Sequence, residues 1–216
     1  GYQDGEVLRG WLADYPDATT ATITGANKVI DAAQGDIMAG SSSRGANPSV
    51  PDVIKPYITA PGTDIIAASG VDDPDPPAWG FKSGTSMAGP HVAGSADLLK
   101  VLHPDWTPAE IQSAITSTGR LSVRIEDGLT PADPFDMGGG SLAVDMAAGA
   151  SLLLHETVVN YQAASPALGG DPTELNLASL GNSICLGSCS WHRTVRNVAG
   201  ATVDVSVGIR QPAGWE

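Results

Sequence analysis

The sequence has few cysteines, few aromatic residues and few basic residues, and it has no long apolar run. Of its 216 residues, 2 are cysteines, 5% are aromatic, and 11 Lys and Arg stand against 24 Asp and Glu. Because the resulting net charge of −13 repels nucleic acid, we expect no nucleic-acid partner. No apolar segment approaches the roughly 18 residues of a membrane-spanning helix, so we expect no membrane span.

The sequence also lacks an initiator methionine and a signal peptide. It opens at Gly1 in the middle of a pattern, so we expect a processed or excised piece of a longer protein. A chain of this length can form one domain or two. The apolar fraction of 42% is enough for a core, and the 26 Gly and 16 Pro favour a loop-rich α/β or β fold over a helix bundle.

The two cysteines, Cys185 and Cys189, are separated by three residues. A metal site usually needs further Cys or His ligands at matched spacing, and only His192 is near. We therefore favour a disulfide that closes a short loop, which would fit an oxidising compartment, over two free thiols.

The most informative stretch is SGTSMAGPHVAG, residues 83–94. It places the Ser86 hydroxyl between small residues, ahead of Pro90 and an apolar run. Because proline is tolerated in the first turn of a helix, we expect Ser86 where a loop becomes a buried helix. Backbone N–H groups at a helix start are unpaired, so the N–H of Ser86 could stabilise a developing oxyanion. The alternative is an ordinary serine N-cap.

This run resembles the nucleophile motif of the subtilisin-like serine proteases, or subtilases. The matching positions are Gly84-Thr85-Ser86-Met87-Ala88, Pro90 and Ala93-Gly94. The other common hydrolase motif, G-x-S-x-G, does not fit because Ala88 stands where its last glycine should be. The resemblance implies that Ser86 is the nucleophile of peptide-bond hydrolysis through an acyl-enzyme, with no cofactor required.

The resemblance extends over residues 35–154, which we interpret as the C-terminal part of the catalytic domain. Residues 40–62 are similar to the segment that leads to the nucleophile, although Ala46 and Tyr57 replace its usual proline and aspartate. Residues 103–115 follow the family pattern of the next two helices. The resemblance implies an α/β fold class, as the C-terminal part of a parallel-sheet, three-layer domain.

Local patterns predict individual elements of this part. Residues 64–68 are predicted as a short buried strand, and residues 90–102 as a central helix that is apolar on most faces. Thr107-Pro108-Ala109-Glu110 is a capping box with proline at the first helical position, and Gly119 is the expected end of that helix. Arg44 either pairs with a carboxylate buried nearby or is solvated.

The flanking residues resemble two further modules of large subtilases. Residues 1–34, with a helix predicted over 3–15 and a strand over 19–24, resemble the tail of a protease-associated domain. An unassigned helix and strand is the alternative. After a linker at 155–173, residues 174–216 resemble the start of a fibronectin-III-like β-sandwich. There, apolar alternation predicts a strand with inward-facing Val203, Val205, Val207 and Ile209.

The sequence lacks two motifs that its resemblance calls for. In subtilases the catalytic Asp and His precede Ser in "D[ST]G" and "HGTHVAG" motifs, and neither occurs here. A serine hydroxyl needs a base to remove its proton. His91 lies more than one helical turn beyond Ser86, and the family histidine at that position is structural. We interpret the other histidines as surface or packing residues, namely His103, His155 and His192.

We therefore expect a fragment of a secreted serine endopeptidase that is inactive alone, with a missing N-terminal part as its partner. A non-catalytic protein-binding scaffold is the main alternative, and a carbohydrate-binding module is a third. We assign no calcium site, and we interpret Asp72, Asp73 and Asp75 as a solvated loop. An exposed core would favour oligomers of the fragment.

Overall fold

The computed structural model describes residues 2–17, 31, 34–68 and 79–209. Helices outweigh strands in it, and two short 3₁₀ turns at Pro166–Leu168 and Pro172–Glu174 follow the last helix. The elements in chain order are α1 Tyr2–Asp14, β1 Ile65–Ala68, β2 Trp79–Lys82, α2 Thr85–Leu102, α3 Pro108–Ser117, α4 Pro134–Met137, α5 Val144–Ala148, β3 Leu152–Leu154, α6 Val158–Ala163 and β4 Val195–Asn197.

The predicted capping box starts α3. The Thr107 hydroxyl accepts from the Glu110 N–H at 3.3 Å, and the Thr107 N–H donates to the Glu110 carboxylate at 2.8 Å. Proline at position 108 fits because the first helical N–H needs no partner within the helix. The prediction of this start is confirmed, and so is that of its end: the helix ends at Ser117 with Thr118 as C-cap, and Gly119 is the first residue beyond the cap.

The main core surrounds α3. Buried side chains from α2, α3, α5, β3 and the loop between α2 and α3 form one cluster, made of Leu99, Trp106, Ile111, Ala114, Ile115, Ala147 and Leu153. A smaller cluster consists of Met38, Val123, Ala132 and Met137. The 3–4 spacing of the α3 members places them on one helix face, which explains why α3 lies at the centre of the core.

The sheets of the described residues are two antiparallel pairs. β1 pairs with β2, with Ile66 opposite Phe81, and β3 pairs with β4, with Leu153 opposite Arg196. Of the expected parallel sheet, the described residues contain only isolated parallel bridges, Ile37 to Arg124 and Thr59 to Ser141. A parallel strand needs neighbours that arrive through long crossovers, and each of these segments has a single such contact.

Two elements predicted to be buried are exposed. β1 is exposed at Ile66, Ala67 and Ala68, and Ile66 is 58% exposed. One face of α2 is also open, with Leu98 58% and Val101 77% exposed. The expectations of a buried strand and a buried central helix were therefore wrong for these residues, because no described element of the unit that contains them covers these faces.

The predicted strand over residues 202–209 does not form. The backbone there has no regular structure, and Val205, Val207 and Ile209 are exposed. Alternation of apolar residues stabilises a strand only when a partner strand and a covering layer are present, and the described residues supply neither here.

The chain divides into two units, residues 1–32 and 33–216. The first contains α1, which runs from Tyr2 to Asp14 where a helix over 3–15 was predicted. The predicted strand over 19–24 lies outside the described residues. In the described part of the chain, no helix is both long and apolar enough to cross a membrane.

The buried side chain of Glu156 connects residues of the segment after β3 through hydrogen bonds. It is 8% exposed, and its carboxylate accepts hydrogen bonds from the Thr157 and Asn176 N–H groups at 2.7 and 2.6 Å and from the Asn160 amide at 2.6 Å. Burial by itself raises the pKa of Glu156, but the donors from Asn176, Thr157 and Asn160 outweigh it, so the pKa is lowered.

We expect Glu156→Gln to destabilise the chain at pH 7, because an amide cannot accept from all three donors. A lowered folded-state pKa means that the carboxylate stabilises the fold above its unfolded pKa and loses this effect as the pH falls through its folded value. The difference in urea midpoint between wild type and variant should therefore shrink on acidification below the ordinary glutamate pKa of about 4.3. Glu174→Gln, at an exposed carboxyl of the same segment, should show no such difference. A difference in urea midpoint between wild type and Glu156→Gln that does not change with pH would contradict this explanation.

Candidate active site

Ser86 is the second residue of α2 and is exposed. The preceding Gly84 is the N-cap, with φ of 150°, a conformation that favours glycine. The N–H groups of Met87 and Ala88 bond to the Gly84 carbonyl at 3.0 and 3.3 Å. Within the described residues, neither the hydroxyl nor the backbone N–H of Ser86 has a hydrogen-bond partner, so both are available to a ligand.

The turn before Ser86 is held by residues 62–64. The Gly84 N–H donates to the Gly62 carbonyl at 2.7 Å. The Asp64 N–H donates to the Ser83 hydroxyl at 2.8 Å, and that hydroxyl lies 3.3 Å from the Asp64 carboxylate. A side chain at Gly62 would come within 2.8 Å of the Gly84 carbonyl oxygen, so this approach requires glycine.

Asp64 and Ser83 are positioning residues that the sequence analysis did not single out. The turn-forming pair Pro61-Gly62, two residues before Asp64, was the sequence signal that could have located these hydrogen bonds. These hydrogen bonds hold the turn between β2 and α2 against residues 62–64.

The histidines do not meet Ser86. His91 is exposed, and its Nδ1 lies 2.9 Å from the Met87 carbonyl oxygen of its own helix. The other described histidines make contacts elsewhere: His103 stacks on Trp106 at 3.8 Å, His155 Nδ1 lies 3.0 Å from the Thr107 hydroxyl, and the His192 carbonyl accepts from Arg193. The described residues therefore bring no histidine to Ser86 that could act as its general base.

A groove of about 750 Å³ lies beside the start of α2. Gly84, Thr85 and Ala88 form one wall, and residues 58–63 form part of another. The helix dipole of an 18-residue helix is positive at this end, which favours negative charge that develops near Ser86.

Arg44 pairs with carboxylates instead of being solvated. Its guanidinium donates to Asp136 at 2.8 Å, contacts Glu126, and donates to the Ser42 carbonyl at 3.0 Å. The Arg44 side chain is 23% exposed and that of Asp136 20% exposed. Of the two alternatives left open by the sequence, the structure has the paired one, and the pair fastens the loop around residue 44 to the start of α4.

Two further site predictions concern cysteines and metals. Cys185 and Cys189 are joined by a disulfide. In the part of the chain that the structure describes, no group of three His, Cys, Asp or Glu side chains could hold a metal ion. Residues 72, 73 and 75 lie outside the described residues.

Comparison with known proteins gives consistent matches. The model of the Subtilase family matches residues 9–160. Subtilisin-like protease SBT5.4 of Arabidopsis thaliana is 35% identical over 189 residues, covering 82% of this chain and 24% of that protein. Subtilisin-like protease SBT1.7 of the same plant is 32% identical over 220 residues, covering 95% of this chain and 29% of that protein.

Among solved structures, a protease from Pseudoalteromonas arctica PAMC 21717 is similar to part of the chain. It is 37% identical, with a TM-score of 0.31, and the match covers 39% of this chain and 22% of that one. The chain thus spans about a quarter of the length of the curated relatives that it matches.

Proposed function

The chain belongs to the subtilase family, and on that premise we propose that it is the nucleophile-bearing part of a secreted serine endopeptidase. The observation that carries the proposal is the exposed Ser86 at the start of α2, with its hydroxyl and its N–H both unpartnered in the described residues. A free hydroxyl and a free N–H at a positive helix end are two of the groups that acyl transfer requires, beside a base that removes the hydroxyl proton.

In the proposed reaction, the Ser86 Oγ attacks the carbonyl carbon of a peptide bond. Its proton passes to a histidine, which is oriented by an aspartate; both would come from sequence that precedes this chain in the parent protein. The Ser86 N–H donates to the developing oxyanion. The amine then leaves with the proton, and water hydrolyses the resulting ester on Ser86.

A second part of the proposal is that the 216 residues alone are inactive. The open face of α2, with Leu98 and Val101, and the groove beside Gly84 supply unpaired surface for the rest of the catalytic domain. The same surface favours self-association of the isolated chain. A strictly monomeric mass in light scattering would contradict that association.

Active-site labelling with a fluorophosphonate tests both parts. We expect the probe to modify Ser86 in the full-length protein and not in the isolated chain, because phosphonylation needs an activated hydroxyl. Labelling of the isolated chain would overturn its inactivity. Absence of labelling in a folded full-length protein would overturn the nucleophile assignment.

Secretion is proposed on narrower grounds. A disulfide between Cys185 and Cys189 fits an oxidising compartment, and the strongly negative charge keeps an extracellular protein soluble. Recovery of the full-length protein only inside cells would contradict it.

A protein-binding scaffold that has lost its triad is the second candidate. It is favoured by one observation, that the described residues bring no histidine to Ser86. The coding sequence before Gly1 discriminates: intact Asp and His motifs favour the enzyme, and their absence favours the scaffold.

A further inference from the structure

A cavity of about 820 Å³ lies between α3 and the segment of residues 176–191. Ala109, Gln112, Ser113 and Thr116 line it from α3, at spacings that place them on one face of the helix. No lining residue comes from α2 or from the turn before Ser86. Small-molecule sites in proteins have volumes of about 300–1,000 Å³, so this cavity has the size of a ligand site.

Aromatic side chains dominate its chemistry. Tyr57, Phe135, Tyr161 and Trp191 all line it. The Trp191 Nε1 donates to the Gly181 carbonyl at 3.3 Å, so its polar edge already has a partner within the protein. Burial and the hydrogen bond with Tyr57 raise the pKa of Tyr161, which keeps the Tyr161 phenol neutral. Such walls favour an aromatic ring, through stacked and edge-to-face contacts.

The carboxylates of the wall are already engaged. Asp133 accepts from the Phe135 and Asp136 N–H groups as the N-cap of α4. Glu156 accepts from three donors of its own segment. An ionised ligand would lose its hydration without gaining a free counter-charge, so the cavity selects an uncharged one.

Two side-chain amides remain for hydrogen bonding. Gln112 makes no side-chain hydrogen bond within the described residues, and Asn182 uses its oxygen for the Ile184 N–H and leaves its amide N–H groups unpaired there. They lie on opposite walls, one on α3 and one on the 176–191 segment. A ligand with a donor or acceptor on its ring would satisfy at least one of them.

We propose that this cavity binds an uncharged aromatic small molecule carrying one or two hydrogen-bonding groups. The cavity contains no residue of α2, so binding there can be tested independently of the proposed protease activity. Its two walls come from α3 and from the segment after β3, so a bound ligand would hold the two together.

Titration with N-phenyl-1-naphthylamine, a neutral aromatic probe, tests the site. We expect saturable fluorescence enhancement at one site per 216-residue chain. Ala109→Phe would fill the cavity from α3 and should weaken binding by about tenfold or more. Ser179→Phe, which fills the cavity from the opposite wall, should weaken binding to a similar extent. If circular dichroism shows that one of the two variants does not fold, the other still tests the proposal.

The control separates the cavity from the open face of α2, which could also attract an apolar probe. Ala93→Phe and Val101→Glu alter that face and should leave the affinity unchanged. Loss of binding in Val101→Glu but not in Ala109→Phe or Ser179→Phe would overturn the proposal. So would the absence of saturable binding. Binding by this chain but not by the full-length protein would also overturn it, because a polypeptide segment would then occupy the cavity.

Discussion

Replacing Ser86 with alanine in the full-length protein should, on the proposed protease function, lower kcat for peptide hydrolysis by a factor on the order of 10⁶, the scale that loss of a subtilisin nucleophile produces. The reason is that the first turn of α2 holds only two hydroxyl side chains among the described residues, those of Ser86 and the adjoining Thr85. Loss of the Ser86 hydroxyl therefore leaves no equivalent group at the same position. What activity remains would come from oxyanion stabilisation and substrate binding alone, about 10³–10⁴ over water.

Initial rates on a peptide substrate, with burst titration of active sites, measure this effect. Ser206→Ala, an exposed serine remote in sequence from the helix start, is the matched control and should retain the wild-type rate. Circular dichroism should show that both variants keep the fold, because the Ser86 hydroxyl has no partner in the described residues. A Ser86→Ala enzyme within tenfold of wild type would refute the nucleophile.

Gly139→Ala should be among the most destabilising single methyl additions in the described part of the chain. A Cβ at this position would lie 2.0 Å from the Thr116 carbonyl oxygen and 2.9 Å from its carbon, both backbone atoms at the end of α3. The turn cannot move away freely, because the Gly139 N–H donates to the Tyr57 carbonyl at 2.9 Å and the Thr59 N–H donates to the Gly140 carbonyl at 2.9 Å.

Either α3 or this turn must shift, with loss of packing or of these hydrogen bonds. We expect about 3 kcal/mol or more of lost stability, and hence a fall in Tm of roughly 6–12 °C for a chain of this size. Gly149→Ala is the matched control, since its Cβ would meet the Met146 carbonyl oxygen at an ordinary 3.7 Å. Differential scanning calorimetry of both variants measures the effect, and equal Tm values would disprove the steric argument.

Local chemistry in the sequence was enough to predict the start of α3 and the position of Ser86. The capping box at Thr107 joins residues three apart, so every atom that it needs lies within one helical turn. The helix start at Ser86 is equally local, because Gly84 permits the φ of 150° that the N-cap adopts, although Pro90 lies inside α2 and not in its first turn as expected. Signals of this kind do not depend on the rest of the fold.

Predictions that depended on residues distant in the sequence were left open or were wrong. The sequence left two alternatives for Arg44, and its partner Asp136 lies 92 residues away. The buried central helix and the strand over 202–209 failed because apolar side chains become buried only when another layer covers them. The described residues provide no such layer for Val101 or Val207.

Glu110 has a role beyond its helix. One carboxylate oxygen closes the cap of α3, while the other lies 2.6 Å from the Arg196 guanidinium on β4. During synthesis on a ribosome, the cap can form as soon as α3 emerges. The second carboxylate oxygen has no Arg196 to pair with until β4 has been synthesised. A nascent chain halted after Leu154 would therefore hold a half-satisfied carboxylate beside its core.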